Sequence, residues 1–91
     1  MKNSNIEIAT MQFPVEWHGG LIVSAQHSDT HSAIERVFLG LGVECFSISQ
    51  GKVSSQGNYC SWQLSARIDD VLVFRAVCTA LSELPGVEML L

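Results

Sequence analysis

Basic residues are scarce in this sequence. Only five of its 91 residues are Lys or Arg, against nine Asp or Glu, which leaves a net charge of −4. The five cations are scattered along the chain and form no basic run. Because nucleic-acid binding draws its affinity from several phosphate neutralisations, this shortage argues against a nucleic-acid partner.

Long apolar runs are also missing. No run approaches the ~18–20 apolar residues that a membrane-spanning helix needs. The opening residues, M-K-N-S-N-I-E-I, contain neither the apolar region nor the cleavage site of a signal peptide. These two absences predict a cytoplasmic protein with no membrane partner.

Cysteine and histidine occur in no pattern that is typical of a metal site. The three cysteines are Cys45, Cys60 and Cys78. Their wide spacing includes no C-x-x-C, so we expect reduced thiols in or near the core. His27 and His31 have the i, i+4 spacing of a ligand pair, but Ser28 stands where an H-E-x-x-H site has Glu. The sequence therefore predicts no metal site and no cofactor.

The composition that remains is that of a single folded domain. Apolar residues make up 47% of the chain and charged residues 15%, which is typical of a globular protein and not of a disordered one. We predict one domain over residues 13–91. A flexible arm over residues 1–12 precedes it, because Pro14 favours an extended chain at Phe13.

Apolar residues recur with two periods, one typical of strands and one of helices. Alternation predicts strands over residues 15–25, 43–53, 59–68 and 87–91. Stripes at i, i+3, i+4 and i+7 predict helices over residues 29–41 and from Asp69-Asp70 to about Leu84. The side chains expected to point at the helices include Trp17, Cys60, Trp62, Leu64, Ala66, Ile68, Val87, Met89 and Leu91.

The order of these elements, β-α-β-β-α-β, predicts the fold. Right-handed crossovers and short connections turn it into an α+β, ferredoxin-like plait. This plait is a four-stranded antiparallel sheet with two helices on one face, and its first and third strands are central. Gly19-Gly20 interrupts the first strand, which indicates a bulge or a close backbone approach.

The segment V-S-S-Q-G-N-Y, residues 53–59, concentrates turn residues before the third strand. One interpretation is a hairpin tip that fixes the register of the two strands, with Gly57 at a positive φ. The other is a site that contacts a ligand or partner. The candidate contact residues are Ser54, Ser55, Gly57, Tyr59 and Ser61, and both interpretations stay open.

The second helix is apolar over more of its circumference than one sheet face requires. Its additional apolar residues include Leu72, Val73 and Ala76. We expect these three to form a self-association or partner face, so that the protein is a homo-oligomer.

The residues of this region also resemble a known family. Ser54-Ser55-x-Gly57-x-Tyr59-x-Ser61, followed by a capped helix with Leu81 and by Val87-x-Met89-x-Leu91, resembles the YbeD-like family of small bacterial proteins. The resemblance runs without gaps over residues 52–91. It departs from the family at Gly20 and Val23, where the family's first strand carries a Lys and then a Gly.

The resemblance implies a fold similar to the ACT-type regulatory domain of enzymes of amino-acid metabolism. It further implies a regulatory or binding role, with a protein partner or a small ligand, linked to lipoate metabolism. The family brings no catalytic residues with it. We therefore expect a non-enzymatic domain.

The alternative is a small hydrolase or transferase built on the same plait. Its candidate ionisable residues are Glu16, His18, Arg67 and Glu88. Val73-Phe74-Arg75 is similar to part of the acylphosphatase signature. However, that enzyme places its arginine in a glycine-rich loop after the first strand, whereas this triplet lies within a predicted helix.

Overall fold

A four-stranded sheet and two helices make up the described part of the chain. The computed structural model describes residues 12–25 and 29–91. The strands are β1 (Val15–Ser24), β2 (Phe46–Val53), β3 (Tyr59–Ile68) and β4 (Val87–Leu90), and the helices are α1 (Thr30–Gly40) and α2 (Val71–Ser82). Of the predicted arm, only its last residue, Gln12, lies among the described residues.

The strand order confirms the predicted fold. The sheet runs β2-β3-β1-β4, and all three neighbouring pairs are antiparallel. β1 and β3 are central, as expected for a ferredoxin-like plait. Neither described helix is long and apolar enough to cross a membrane.

Helix α1 forms because its apolar residues fall on one side. Ile34 and Phe38 are fully buried on that side. The helix ends before Gly42, which has a φ of +80°, the left-handed conformation that glycine adopts without strain. The backbone N–H of Val43 then donates to the carbonyl oxygen of Phe38 over 2.9 Å and closes the end of the helix.

Helix α2 begins at an aspartate cap. The Asp70 side chain accepts a hydrogen bond from the backbone N–H of Val73 over 2.9 Å, which satisfies one of the free donors in the first turn. The buried stripe of the helix consists of Phe74, Val77 and Leu81. The helix therefore starts at the predicted Asp69-Asp70, and its buried residues have the i, i+3 and i+7 spacing of the predicted stripe.

The core lies between the helices and one face of the sheet. Its strand residues are Leu21, Val23, Leu64, Ala66 and Ile68. Trp17 and Trp62 pack against this core as half-buried side chains, as predicted. Trp17 also covers Gly19, where an added Cβ would approach Cη2 of the indole to 2.7 Å. β1 pairs with β3 in unbroken register through Gly19 and Gly20, so the predicted bulge does not form there. The close approach at Gly19 is made by the Trp17 side chain and not by another backbone segment.

The prediction for the last strand is wrong in part. Val87 packs against the core as expected, but Leu90 joins it there, while Met89 and Leu91 are 54% and 67% exposed. Met89 and Leu91 therefore do not point at the helices. The prediction assumed that every second residue from Val87 faces the core, whereas the core-facing residues of β4 are Val87 and Leu90.

A β-bulge in β4 causes this reversal. The register with β1 shifts at this point, with the pairs Leu21–Leu90, Ile22–Met89 and Val23–Val87. Glu88 and Met89 together oppose Ile22. An extra residue in one strand exchanges the two faces beyond it, because side chains alternate with a period of two.

Candidate functional site

One face of the sheet is turned away from both helices, and we call it the open face. Tyr59 is 44% exposed there, whereas the next residue, Cys60, is buried on the helix side. Alternate side chains of β1 and β3 point to this face, and the residues of β2 and β4 that pair with them lie on the same face. The residues of this face are Glu16, His18, Gly20, Ile22, Ser24, Ser47, Ser49, Gly51, Lys52, Tyr59, Ser61, Gln63, Ser65, Arg67, Glu88, Met89 and Leu91.

The hairpin tip between β2 and β3 is held by local hydrogen bonds. Ser54 Oγ accepts from the backbone N–H groups of Asn58 and Tyr59, over 3.0 and 3.1 Å. Gly57 has a φ of +77°, and its N–H donates to the carbonyl oxygen of Ser54 over 2.9 Å. The interpretation as a register-fixing tip is confirmed, because Ser54 and Gly57 are both used by the turn.

The predicted contact residues divide between the tip and the open face. Ser54, Ser55 and Gly57 are exposed at the tip, and Tyr59 and Ser61 lie on the open face beside it. Ser61 Oγ donates to the carbonyl oxygen of Lys52 over 3.2 Å, so this hydroxyl supports β2. Tyr59 is the contact candidate with the largest exposed apolar surface.

Two shallow depressions flank Tyr59. One is mostly apolar and is lined by Ile22, Lys52, Val53, Ser54, Cys60 and Ser61. The other is polar and is lined by Ser24, Ala25, Gly57, Asn58 and Glu88. Tyr59 therefore separates a side that offers apolar contact from a side that offers a carboxylate.

An apolar strip crosses the open face, and only half of it is predictable from the sequence. We use the name apolar strip for Ile22, Tyr59, Met89 and Leu91. Met89 pairs with Ile22, and Leu91 pairs with Gly20 through two backbone hydrogen bonds of 2.7 and 3.3 Å. Because the bulge in β4 brings Met89 and Leu91 to this face, no local pattern in the sequence could have revealed these two residues of the strip.

Both edge strands carry a bulge at the same level of the sheet. Ile22 and Ser61 pair at this level in the two central strands. Gly51 and Lys52 together oppose Ser61, since Gln50 pairs with Trp62 and Val53 with Cys60. On the other side, Glu88 and Met89 oppose Ile22. Lys52 and Glu88 therefore lie at opposite edges of one row of the open face.

Three of the four candidate residues for a hydrolase are neighbours at one end of the open face, and the fourth, Glu88, lies far from them. Glu16 pairs with Arg67 across β1 and β3, and His18 is the next open-face residue of β1. Glu88 lies opposite Ile22, six residues along β1 from Glu16, which is about 20 Å at ~3.3 Å per residue. Within residues 12–25 and 29–91, no three His, Cys, Asp or Glu side chains form a cluster that would hold a metal ion.

The three cysteines are free thiols in different surroundings. Cys45 is exposed, Cys60 is buried and Cys78 is half-buried. Burial raises the pKa of the Cys78 thiol above its ordinary value of 9.0, so this group stays protonated and is a poor nucleophile at neutral pH. Cys60 Sγ accepts a hydrogen bond from Gln50 Nε2 over 2.9 Å.

The predicted self-association face on α2 is less uniform than its sequence indicates. Leu72 is 75% exposed. Val73 is half-buried and packs against the core, and Ala76 is also half-buried. Only Leu72 of these three presents a mostly exposed side chain.

Of the two histidines at metal-ligand spacing, only His31 lies among the described residues. His31 lies at the start of α1 with its ring edge-on to Trp62, at a centroid distance of 6.1 Å. His27 lies outside the described residues. His31 therefore takes part in packing beside Trp62.

Comparisons with known proteins give a family and a fold. A family model described as "Protein of unknown function (DUF493)" matches residues 9–91. No curated protein sequence matches this chain. The solution structure of protein HP0495 from H. pylori aligns with a TM-score of 0.72 at 16% identity, covering 90% of this chain and 86% of that one. At this identity the similarity is evidence for the fold alone.

Proposed function

Because the chain belongs to the family described as protein of unknown function (DUF493), we propose its role from its surface, as a non-enzymatic binding domain. The YbeD-like proteins that its sequence resembles fall within this family. The binding surface is the open face, and the observation that carries the proposal is the apolar strip. An exposed apolar patch of this kind is typical of an interaction site.

The strip has the chemistry of an interaction surface. Tyr59, Met89 and Leu91 are each close to half exposed or more, and Ile22 lies among them. Tyrosine and methionine are enriched in protein interfaces, because both offer a large contact area and adapt to a partner. Covering the strip would remove apolar area from water, which favours association.

The arrangement of the ionisable groups supports binding over catalysis. Glu16, His18 and Arg67 are neighbours, but all three are exposed side chains on the surface of the sheet, whereas catalytic groups typically line a concave pocket. Glu88 lies about 20 Å from Glu16 along the sheet. The raised pKa of the Cys78 thiol also makes that residue a poor nucleophile.

The family resemblance suggests a narrower role, namely regulatory binding linked to lipoate metabolism. The lipoyl group is a mostly apolar chain that ends in a cyclic disulfide. The apolar strip and the apolar depression beside Tyr59 offer a surface of matching character. Binding there would bury the chain against Ile22 and the ring against Tyr59.

Affinity capture with matched variants tests the binding role. Immobilised protein is exposed to a bacterial lysate, and captured proteins are purified and retested one by one. A partner that binds the unaltered chain and Leu72→Glu, but not Leu91→Glu, supports binding through the open face. Equal capture by both variants contradicts it.

A titration tests the narrower role. Lipoamide, and octanamide as the probe without the ring, are added to isotope-labelled protein and followed by NMR. Shifts confined to Ile22, Tyr59 and Leu91 support lipoyl binding. Absence of shifts at millimolar probe contradicts it.

A screen of esters and phosphomonoesters tests the enzymatic alternative. Turnover that is lost in His18→Ala would contradict the non-enzymatic role.

A further inference from the structure

We propose that the open face binds a second copy of this chain, related to it by a two-fold axis. The axis lies midway between the two facing sheets. It runs parallel to β1 and β3, above the line that separates these two strands. This proposal names the occupant of the surface described above, and so it rests on the proposed function. The two sheets would pack face to face, about 10 Å apart. Such an axis exchanges β1 with the partner's β3, and β2 with the partner's β4.

Charge complementarity in the central strands supports this symmetry. Glu16 and Arg67 are directly paired on the open face. Exchanging β1 with β3 lays Glu16 of one copy over Arg67 of the other, and the symmetry makes the same contact twice. Arg67 is 3.7 Å from Asp69 in its own chain, with both side chains mostly exposed, so that weak pair leaves the guanidinium free to meet a second carboxylate.

The edge strands also carry opposite charges that the proposed axis would bring together. Lys52 lies in the bulge of β2 and Glu88 in the bulge of β4, both at the level of the Ile22–Ser61 pair. Exchanging β2 with β4 lays Lys52 of one copy over Glu88 of the other, again twice. An axis across the strands at this level would instead stack Lys52 on Lys52 and Glu88 on Glu88, and like charges at short range repel.

Side-chain size follows the same symmetry. The axis lays each member of the apolar strip over a small residue of the partner at the same level. The four pairs are Ile22 over Ser61, Tyr59 over Ser24, Met89 over Gly51, and Leu91 over Ser49. Two sheets that pack face to face need large side chains to fit between small ones, so the open face is complementary to itself.

The bulges also favour face-to-face contact over edge-to-edge contact. A new strand pairs best with an edge that is regular and flat. Here β2 is irregular at Gly51 and Lys52, and β4 is irregular at Glu88 and Met89. Bulges bend an edge strand and interrupt its row of hydrogen-bonding groups, so extension of the sheet by a second copy is disfavoured.

The size of the surface sets the strength to expect. The central strands have ten residues each and the edge strands eight and four, so strands about 4.8 Å apart give a face on the order of 500 Å². A typical stable interface buries about 800 Å² per partner. The dimer should therefore be weak, with a dissociation constant of roughly micromolar or above.

Charge reversal provides a specific test. Analytical ultracentrifugation follows the mass of the full chain between about 10 µM and 1 mM. Lys52→Glu places Glu against Glu88 twice, and Glu88→Lys places Lys against Lys52 twice. Each variant alone should raise the dissociation constant about tenfold. An equal mixture of the two restores both attractive contacts in a heterodimer, so it should associate about as strongly as the unaltered chain.

Matched controls separate this interface from a general effect of charge. Arg75→Glu and Glu35→Lys make the same charge changes on exposed helix positions and should leave the dissociation constant unchanged. Leu72→Glu tests the helix face. Loss of the dimer in Leu72→Glu but not in the two open-face variants would overturn the proposal.

Two further outcomes would also overturn it. A mass of one chain at every concentration would exclude the dimer, while the capture experiment would still decide the binding role independently. A dimer that both single variants weaken, but that their mixture does not restore, would exclude this two-fold axis. Isotope-filtered NOEs between Leu91 of one copy and Ser49 of the other would support it directly.

Discussion

Ile22 of β1 pairs directly with Ser61 of β3, and each of them lies opposite a bulge in the neighbouring edge strand. This pair therefore marks the level at which both edges of the sheet are irregular. It also marks the level at which Lys52 and Glu88 flank the open face. The two bulges therefore set the positions of Lys52, Glu88, Met89 and Leu91 on this face.

Truncating leucines on opposite faces of the sheet should have different consequences. Leu64 is 3% exposed on the helix side and Leu91 is 67% exposed on the open face. Leu64→Ala should lower the free energy of unfolding by about 2–5 kcal/mol, whereas Leu91→Ala should change it by less than about 1 kcal/mol. Urea denaturation measures both. Equal losses would mean that the assignment of the two faces is wrong.

The aspartates before α2 should contribute unequally. Asp70 accepts the hydrogen bond from the Val73 N–H, whereas Asp69 makes a long contact with Arg67 between exposed side chains. Asp70→Ala should cost about 1 kcal/mol because it removes the cap. Asp69→Ala should cost less than about 0.5 kcal/mol. A thermal melt that ranks Asp69 above Asp70 would contradict the cap.

Adjacent glycines in β1 should respond differently to alanine. A Cβ at Gly19 would meet the Trp17 ring, whereas a Cβ at Gly20 would lie 3.7 Å from Leu91, an ordinary contact distance. Gly19→Ala should therefore destabilise the fold by about 1–3 kcal/mol and change the tryptophan emission. Gly20→Ala serves as the control, with little change in stability or emission. Matching emission spectra for the two variants would count against the packing of Trp17 over Gly19.

Thiol reactivity should separate the exposed and half-buried cysteines. Cys45 is exposed, whereas burial raises the pKa of the Cys78 thiol. Alkylation near neutral pH should therefore modify Cys45 before Cys78, as peptide mass spectrometry can measure.

The raised pKa of the Cys78 thiol should also make the free energy of unfolding fall at high pH. Above its ordinary pKa of 9.0 the unfolded chain releases this proton while the folded chain retains it.

The Cys78 effect has its own control. Replacing this residue by serine should remove the part of the alkaline stability loss that the thiol causes. The stability below pH 9.0 should then change only by the packing difference. An unchanged stability profile above that pH would contradict the linkage to Cys78.

Much of the fold could be predicted because its signals are local. In β3 the alternation of Cys60, Leu64, Ala66 and Ile68 with polar residues follows from the pleat of a single strand. The stripe of α2 follows in the same way from the period of a helix. The hairpin tip was also predictable, because Gly57 has a φ that few other residues tolerate.

The candidate site was predictable only in part. Tyr59 and Ser61 were placed on the open face by the alternation of their own strand, and the structure confirms this. Met89 and Leu91 were assigned to the wrong face. Their run, V-E-M-L-L, is equally compatible with either alternation, so no property of these residues alone could decide between the two.

By itself, the sequence determined where the helices and strands form and which way β3 and both helices face. Those features depend on the period of one segment and on the φ, ψ preferences of a few residues. The bulges at Lys52 and Glu88 were decided only in the tertiary structure. They depend on how β2 and β4 pair with the central strands, and that pairing brings Met89 and Leu91 to the same face as Tyr59.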